Sequence, residues 1–213
     1  MLTVHHLCKS QSDRIVWLCE ELEIPYRFLR YERDPVTMLA PPEYQALHPF
    51  GTAPTISDGD FVLGESGAIV EYVIARYGDG RLGVAADQPE FADYLYWLHF
   101  ANGSMMPSEM IDFVFETLGD GGNPDLARNL RIRGPRAHDM IERRLGEAPW
   151  FAGGMFTAAD IMMLFPLTTM RLLVPRDFSA FPNIRAYLGR IAARPGFQRA
   201  MRKADPDLVM PMD

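Results

Sequence analysis

His48-Pro49-Phe50-Gly51-Thr52-Ala53-Pro54-Thr55-Ile56-Ser57-Asp58-Gly59-Asp60-Phe61-Val62-Leu63-Gly64-Glu65-Ser66-Gly67-Ala68-Ile69 is the stretch that decides the fold. Two short apolar runs, 52–57 and 61–63, flank Asp58-Gly59-Asp60. Asp-Gly between such runs signals a hairpin, because a type I′ turn needs positive φ at its central residues. A helix follows from about Ser66 to Tyr77, with Ile69, Val70, Val73, Ile74 and Tyr77 on one side. Gly78-Asp79-Gly80 ends it. Two antiparallel strands and a helix are therefore expected here.

Working towards the N-terminus, Pro35, Pro41, Pro42 and Pro49 make residues 35–50 irregular or broken helix. Tyr26–Tyr31 reads as a strand, with Tyr26 and Phe28 alternating against Arg27. Before it, Ser10-Gln11-Ser12-Asp13 supplies helix-capping chemistry, followed by Ile15, Leu18, Cys19 and Leu22 at helical spacing and a stop at Pro25. Thr3–Leu7 is a first strand. The order is β-α-β-α-β-β-α.

Working towards the C-terminus, residues 81–89 read as a linker, with Gly83, Asp87 and Pro89 and little periodicity. Helical patterns then run from Phe91 to about Leu118 and recur over 125–145, 157–173, 181–193 and 196–203. We divide the chain into residues 1–80, a linker 81–89, and an all-helical 90–213. A small mixed sheet followed by an all-helical half is a narrow fold choice.

Composition removes several function classes. The net charge of -7 over 213 residues offers no basic stripe for phosphates, so no nucleic acid is expected. No apolar run approaches the roughly 20 residues that span a bilayer, and the N-terminus does not read as a signal peptide. A cytoplasmic protein is expected. Cys8 and Cys19 have neither metal-ligand nor C-x-x-C spacing and read as reduced thiols. His5 and His6, adjacent on a strand, face opposite sides, one towards a core and one towards the surface. They make poor joint ligands, and no metal is expected.

Four segments, in this order and spacing, carry a family resemblance. They are Ser10-Gln11-Ser12-Asp13-Arg14, His48 to Pro54, Glu65-Ser66-Gly67-Ala68-Ile69, and Thr157-Ala158-Ala159-Asp160. From His5 to Arg199 the chain resembles the glutathione S-transferases, in particular the serine-type bacterial and fungal members related to the theta class. The resemblance implies a thioredoxin-like N-terminal domain with a mixed four-stranded sheet that binds glutathione, and an all-helical C-terminal domain. It implies glutathione as co-substrate, a hydrophobic electrophile as second substrate, and a homodimer.

The chemistry gives those positions work to do. A free thiol sits near pKa 8.5, and only the thiolate is a good nucleophile. Ser10 lies just before the first helix, where a hydroxyl and a helix N-terminus point at one spot. By resemblance Ser10 is the catalytic donor to the glutathione sulfur. Ser12 is the alternative, and the two divide thiol binding and capping between them.

The resemblance also implies that Pro54 is the family's cis-proline, with Ala53 pairing its main chain to glutathione like an added strand. Glu65 and Ser66 would hold the γ-glutamyl end. His48 and Thr52 complete the glutathione contacts. Arg14, Arg33, His48 and the Thr52 hydroxyl are the remaining candidates for the glycine carboxylate, since Thr52 and Leu39 stand where relatives place polar or basic groups. Thr157 and Asp160 form a structural capping box.

The second-substrate pocket is expected from the first C-terminal helix, at His99, Asn102, Met105, Met106 and Phe113. For Met105 and Met106, packing in a core or at a dimer contact stands equally open. A rival reading is a non-catalytic member that binds hydrophobic ligands or assembles complexes. A weaker one is a thiol–disulfide reductase working through Cys8.

Overall fold

In the computed structural model, which describes residues 1–213, the chain forms two units. Met1–Val84 with Ala192–Val209 make the first, and Ala85–Ile191 with Met210–Asp213 the second.

The first unit is built on β1 (Leu2–Leu7), α1 (Asp13–Leu22), β2 (Arg27–Tyr31), the single turn α2 (Pro42–Gln45), β3 (Thr55–Asp58), β4 (Phe61–Gly64) and α3 (Ser66–Arg76). The four strands lie in the order β2-β1-β3-β4, with β1 parallel to β2 and antiparallel to β3. This is the mixed sheet of a thioredoxin-like domain. Every residue of β1 is buried, as a central strand covered on both faces requires. Both His5 and His6 are therefore interior, where the sequence placed one at the surface. They still face opposite sides. His5 Nδ1 lies 3.1 Å from the Tyr31 hydroxyl and Nε2 3.0 Å from Ser57 Oγ.

The hairpin forms where expected but with a different turn. Its loop residues are Gly59 and Asp60, and of these only Gly59 has positive φ (60°). That is the pattern of a type II′ rather than a type I′ turn, with glycine at the first central position.

The last helix joins this unit. The sequence division placed 90–213 together, but α10 (Pro195–Ala204) packs against α1. The Trp17 and Phe197 rings meet edge to face at 5.2 Å. Arg194 donates from two nitrogens to Glu21, at 2.8 and 2.9 Å. A Cβ on Gly196 would come within 2.5 Å of the Glu21 side chain, so a larger residue there would displace that carboxylate. Arg199 and Lys203 both reach Glu20. These pairings depend on side chains far apart in sequence, which local periodicity does not reveal.

The second unit holds α4 (Phe91–Phe100), α5 (Met106–Leu118), α6 (Pro124–Arg131), α7 (Arg133–Glu147), α8 (Ala158–Leu167) and α9 (Pro182–Ala192). A π-helical segment, Ala101–Met105, joins α4 to α5 inside what reads as one helix. All ten residues of α8 are buried. A helix apolar all round is a core helix. Its head carries the expected capping box between Thr157 and Asp160. Asp160 also accepts the Phe151 amide at 3.0 Å. No helix in the chain is long and apolar enough to cross a membrane.

Candidate glutathione site

Strand register brings the expected residues of the first unit to one place. β1 pairs with β3 as His5↔Thr55, and β3 pairs with β4 as Thr55↔Gly64. One end of the sheet therefore gathers the exit of β1, the entry to β3 and the exit of β4. Cys8–Ser12 follow the first, Ala53–Pro54 precede the second, and Glu65–Ser66 follow the third. The heads of α1 and α3 lie at this same end.

Ser10 and Ser12 are both buried, at 4% and 0% exposure, so of the two only Ser10 keeps any surface. The Ser10 hydroxyl donates to the Leu7 carbonyl at 2.7 Å and lies 2.7 Å from Ser12 Oγ. It also accepts the Ser12 amide at 3.2 Å. Ser12 Oγ accepts the Leu7 amide at 3.1 Å and lies 2.9 Å from His6 Nδ1.

The head of α1 is largely satisfied from within. The Asp13 amide donates to the Ser10 carbonyl and the Arg14 amide to the Asp13 carboxylate. Burial pushes the Asp13 carboxyl up to about 6, against the opposing charges of Arg14 and His6. Burial likewise lowers the Arg14 guanidinium to about 10, although Asp13 favours its charged form. Arg14 Nη1 donates to Gln11 Oε1 at 2.6 Å and to Ser66 Oγ at 3.5 Å, tying the α1 loop to the head of α3.

The Ala53–Pro54 peptide bond is cis. Pro54 is buried, whereas Ala53 lies outside β3 and pairs with no strand. Glu65 is exposed and adopts φ 68° and ψ 117°, outside the regions that side-chain-bearing residues ordinarily occupy. Holding a non-glycine residue there costs about 1–3 kcal/mol, strain of a kind that clusters at active sites and ligand contacts. Ser66, the first residue of α3, is 2% exposed.

His48 is half-buried; its Nδ1 accepts the Phe50 amide at 3.2 Å, and its ring stands beside Gly64. Thr52 is exposed, and its carbonyl accepts from the Thr55 hydroxyl.

Of the candidates for a glycine carboxylate, Arg33 is engaged elsewhere. Its guanidinium donates to the carbonyls of Cys8, Met38 and Lys9 and so braces the loop after β1. Cys8 is likewise buried, at 6% exposure. Lys9, unremarked in the sequence, is exposed beside Ser10 with φ 53° and puts a cation at the rim. Its adjacency to Ser10 was the available signal. No group of three or more metal-ligating side chains is gathered in the chain.

In the second unit the expected pocket residues do not converge. Met105 is fully buried and Met106 is 7% exposed; Met106 packs with Phe165, Met170 and Val174, with Phe113 laid against them. That is the packing role held open for the methionines, and Met105 has no surface to present to a ligand. His99 is exposed and Asn102 half-buried. A cavity of about 260 Å³ between α5 and α7 is lined by neighbours of these residues, among them Phe100, Ser104, Pro107, Ile111 and Met140, but by none of the five.

Comparison with known proteins agrees with this architecture. Residues 10–76 match the family model "Glutathione S-transferase, N-terminal domain", and residues 124–190 match "Glutathione S-transferase, C-terminal domain". The chain is 32% identical to glutathione S-transferase 3 of Schizosaccharomyces pombe, over 98% of this chain and 90% of that protein. It is 28% identical to glutathione S-transferase 1 of Saccharomyces cerevisiae, over 96% and 95%. Among solved structures, a glutathione S-transferase from Actinobacillus pleuropneumoniae superposes with a TM-score of 0.88 at 33% identity, covering 96% of this chain and 93% of that one. A glutathione transferase from Phanerochaete chrysosporium, solved with oxidized glutathione, shares the fold with a TM-score of 0.76 at 24% identity over 96% and 95%.

Proposed function

The chain belongs to the glutathione S-transferase family, and on that premise we propose that it is a glutathione transferase acting on hydrophobic electrophiles. The observation that carries this reading is the meeting of Ser10, Ala53–Pro54 and Glu65–Ser66 at one end of the sheet. Glutathione lies along that end. Its cysteinyl main chain pairs with unpaired Ala53 as a short added strand. Its γ-glutamyl carboxylate meets the head of α3 and the Ser66 hydroxyl, and its ammonium meets Glu65.

The sulfur then lies at Ser10, the serine that retains exposure. To reach it, the Ser10 proton turns from the Leu7 carbonyl towards the anion. A hydrogen bond to a charged acceptor is worth about 1.5–3 kcal/mol and a helix N-terminus about 0.3–1 kcal/mol. Lowering a thiol by about two pKa units takes about 2.7 kcal/mol, so the two together are of the required size. The thiolate attacks the electrophilic carbon, a carbon–sulfur bond forms, and the leaving group departs with its electron pair. Where the acceptor is a hydroperoxide, the same thiolate supports reduction. His99, Asn102 and Phe113 of the helical unit remain the second-substrate candidates, and two copies of the chain are expected to associate.

The prior commitment of the Ser10 hydroxyl to Leu7 favours one alternative, a non-catalytic member that binds glutathione without ionising it. Turnover of an activated aryl halide with glutathione separates the two. The transferase reading predicts turnover that saturates in glutathione; binding of glutathione with no turnover and no thiolate supports the alternative.

A further inference from the structure

A file of buried polar groups runs inwards from Ser10. Ser10 Oγ lies 2.7 Å from Ser12 Oγ, and Ser12 Oγ lies 2.9 Å from Nδ1 of His6. Nε2 of His6 lies 3.2 Å from Oδ2 of Asp205, at the C-terminal end of α10. The two atoms are close, but the carboxylate oxygen lies off the line of the ring N–H. His6 is fully buried, with its ring stacked on Phe28.

Asp205 is held as a carboxylate. Its burial opposes ionisation, but contacts with His6, the Lys9 amide and Arg30 outweigh this and keep its carboxyl below the usual range. The other charged group bearing on His6 is Asp13, from the head of α1. The arrangement is that of a serine–histidine–aspartate triad with a second serine added at the outer end. Ser12 has no exposed surface, so it attacks nothing. Of the two serines, only Ser10 keeps any exposure.

Counting protons gives the file a direction. Asp205 only accepts, so the proton of a neutral His6 sits on Nε2 and its Nδ1 accepts from Ser12. With its own proton so placed, rather than on the Leu7 carbonyl 3.2 Å away, Ser12 accepts from Ser10 once the Ser10 proton turns from that same carbonyl, and the chain then points inwards. A thiol S–H arriving at Ser10 Oγ lets each proton move one place. The sulfur gives its proton to Ser10, Ser10 gives its own to Ser12, and Ser12 gives its own to Nδ1. One proton has left the sulfur and one has reached the imidazole, and no other group has changed. Every hydrogen bond is now reversed: His6 donates to Ser12, Ser12 to Ser10, and Ser10 to the thiolate.

We propose that His6, held by Asp205, is the positioning residue that takes up the thiol proton of glutathione through Ser12 and Ser10 and so turns the Ser10 hydroxyl towards the sulfur. The proposal rests on the reading that the sulfur lies at Ser10. It makes proton transfer internal, so that the new thiolate faces a buried imidazolium–carboxylate pair rather than a proton lost to solvent.

The test is a count of protons in the full chain at neutral pH. Glutathione is added in weak buffer; thiolate is read by its ultraviolet absorbance, and released protons by a pH indicator. S-methylglutathione, which has no thiol to ionise, supplies the baseline. In the wild type, protons released per thiolate formed should fall well below one. In His6→Asn, which keeps a polar group near the Nδ1 position, the ratio should rise to one and the bound thiol pKa should move up. A wild-type ratio of one overturns the proposal while leaving the transferase reading intact. Absence of any thiolate in the wild type sinks the transferase reading, and this proposal with it. The wild-type ratio decides the matter even if His6→Asn fails to fold.

Discussion

Ser10 and Ser12 hold their hydroxyl oxygens 2.7 Å apart, yet they stand in different positions with respect to water. Ser10 retains 4% exposure, whereas Ser12 has none and serves the Leu7 amide and His6. Ser10→Ala should therefore lower kcat/KM about 10–100-fold, the kinetic equivalent of one charge-assisted hydrogen bond, with a small change in stability. Ser12→Ala leaves the Leu7 N–H and His6 Nδ1 without their partner and should cost about 2–4 kcal/mol of unfolding free energy. Urea unfolding beside steady-state kinetics checks both.

Glu65 is exposed in a backbone conformation that side chains rarely adopt, which argues for a ligand contact rather than a folding role. Glu65→Gln keeps the shape and removes the charge. The Kd for glutathione should rise about tenfold or more, with the pKa of the bound thiol little changed. A glutathione analogue lacking the γ-glutamyl amino group should bind wild type and variant alike. Equal weakening of both ligands by the substitution would assign Glu65 a structural role.

Asp160 is fully buried and accepts the amides of Phe151 and Thr157, at 3.0 and 2.8 Å. Asp160→Ala leaves both donors buried without an acceptor, so a loss of about 2–4 kcal/mol is expected. Denaturant titration measures it. Glutathione affinity, which belongs to the other unit, should hold under conditions where the variant stays folded.

Glu109 supplies a pH signature. Burial pushes its carboxyl up to about 7 from 4.5, against the opposing charge of Arg176. A raised carboxyl binds its proton more tightly in the folded chain than in the unfolded one. Its contribution to stability is thus complete below about 4.5 and is lost as pH rises through about 7. Glu109→Gln is neutral throughout. The stability of the variant relative to wild type should rise between those limits and then level off, while groups the substitution does not touch cancel. A relative stability that falls with pH would show that Arg176 holds Glu109 ionised in the folded chain.

Much of this was legible because local chemistry decided it. Proline, the Asp-Gly pair and helical spacing in 48–77 placed β3, β4 and α3, and the Ser10–Asp13 cluster with the apolar spacing after it placed α1, although the Ser12 side chain makes no cap hydrogen bond. The meeting of Ser10, Pro54 and Ser66 follows once those strands take their register. What stayed hidden depends on contacts between distant parts of the chain. His6 and Asp205 sit near opposite ends of the sequence, and nothing in either neighbourhood announces the other. Docking of α10 on α1 needs Glu21, Arg194 and Gly196 together, and no period records that. Met105 and Met106 are adjacent, so helical spacing alone could not say whether both turn inwards. The π-helical segment beside them, Ala101–Met105, carried no warning in its composition.

The most direct measurement is the ionisation of glutathione bound to the unaltered protein, read as thiolate absorbance across pH and repeated in Ser10→Ala. The account predicts a thiol pKa about two units below that of the free tripeptide, returning most of the way in the variant. A bound thiol that titrates as it does in water, or one whose depressed pKa is unmoved by loss of the Ser10 hydroxyl, would contradict it.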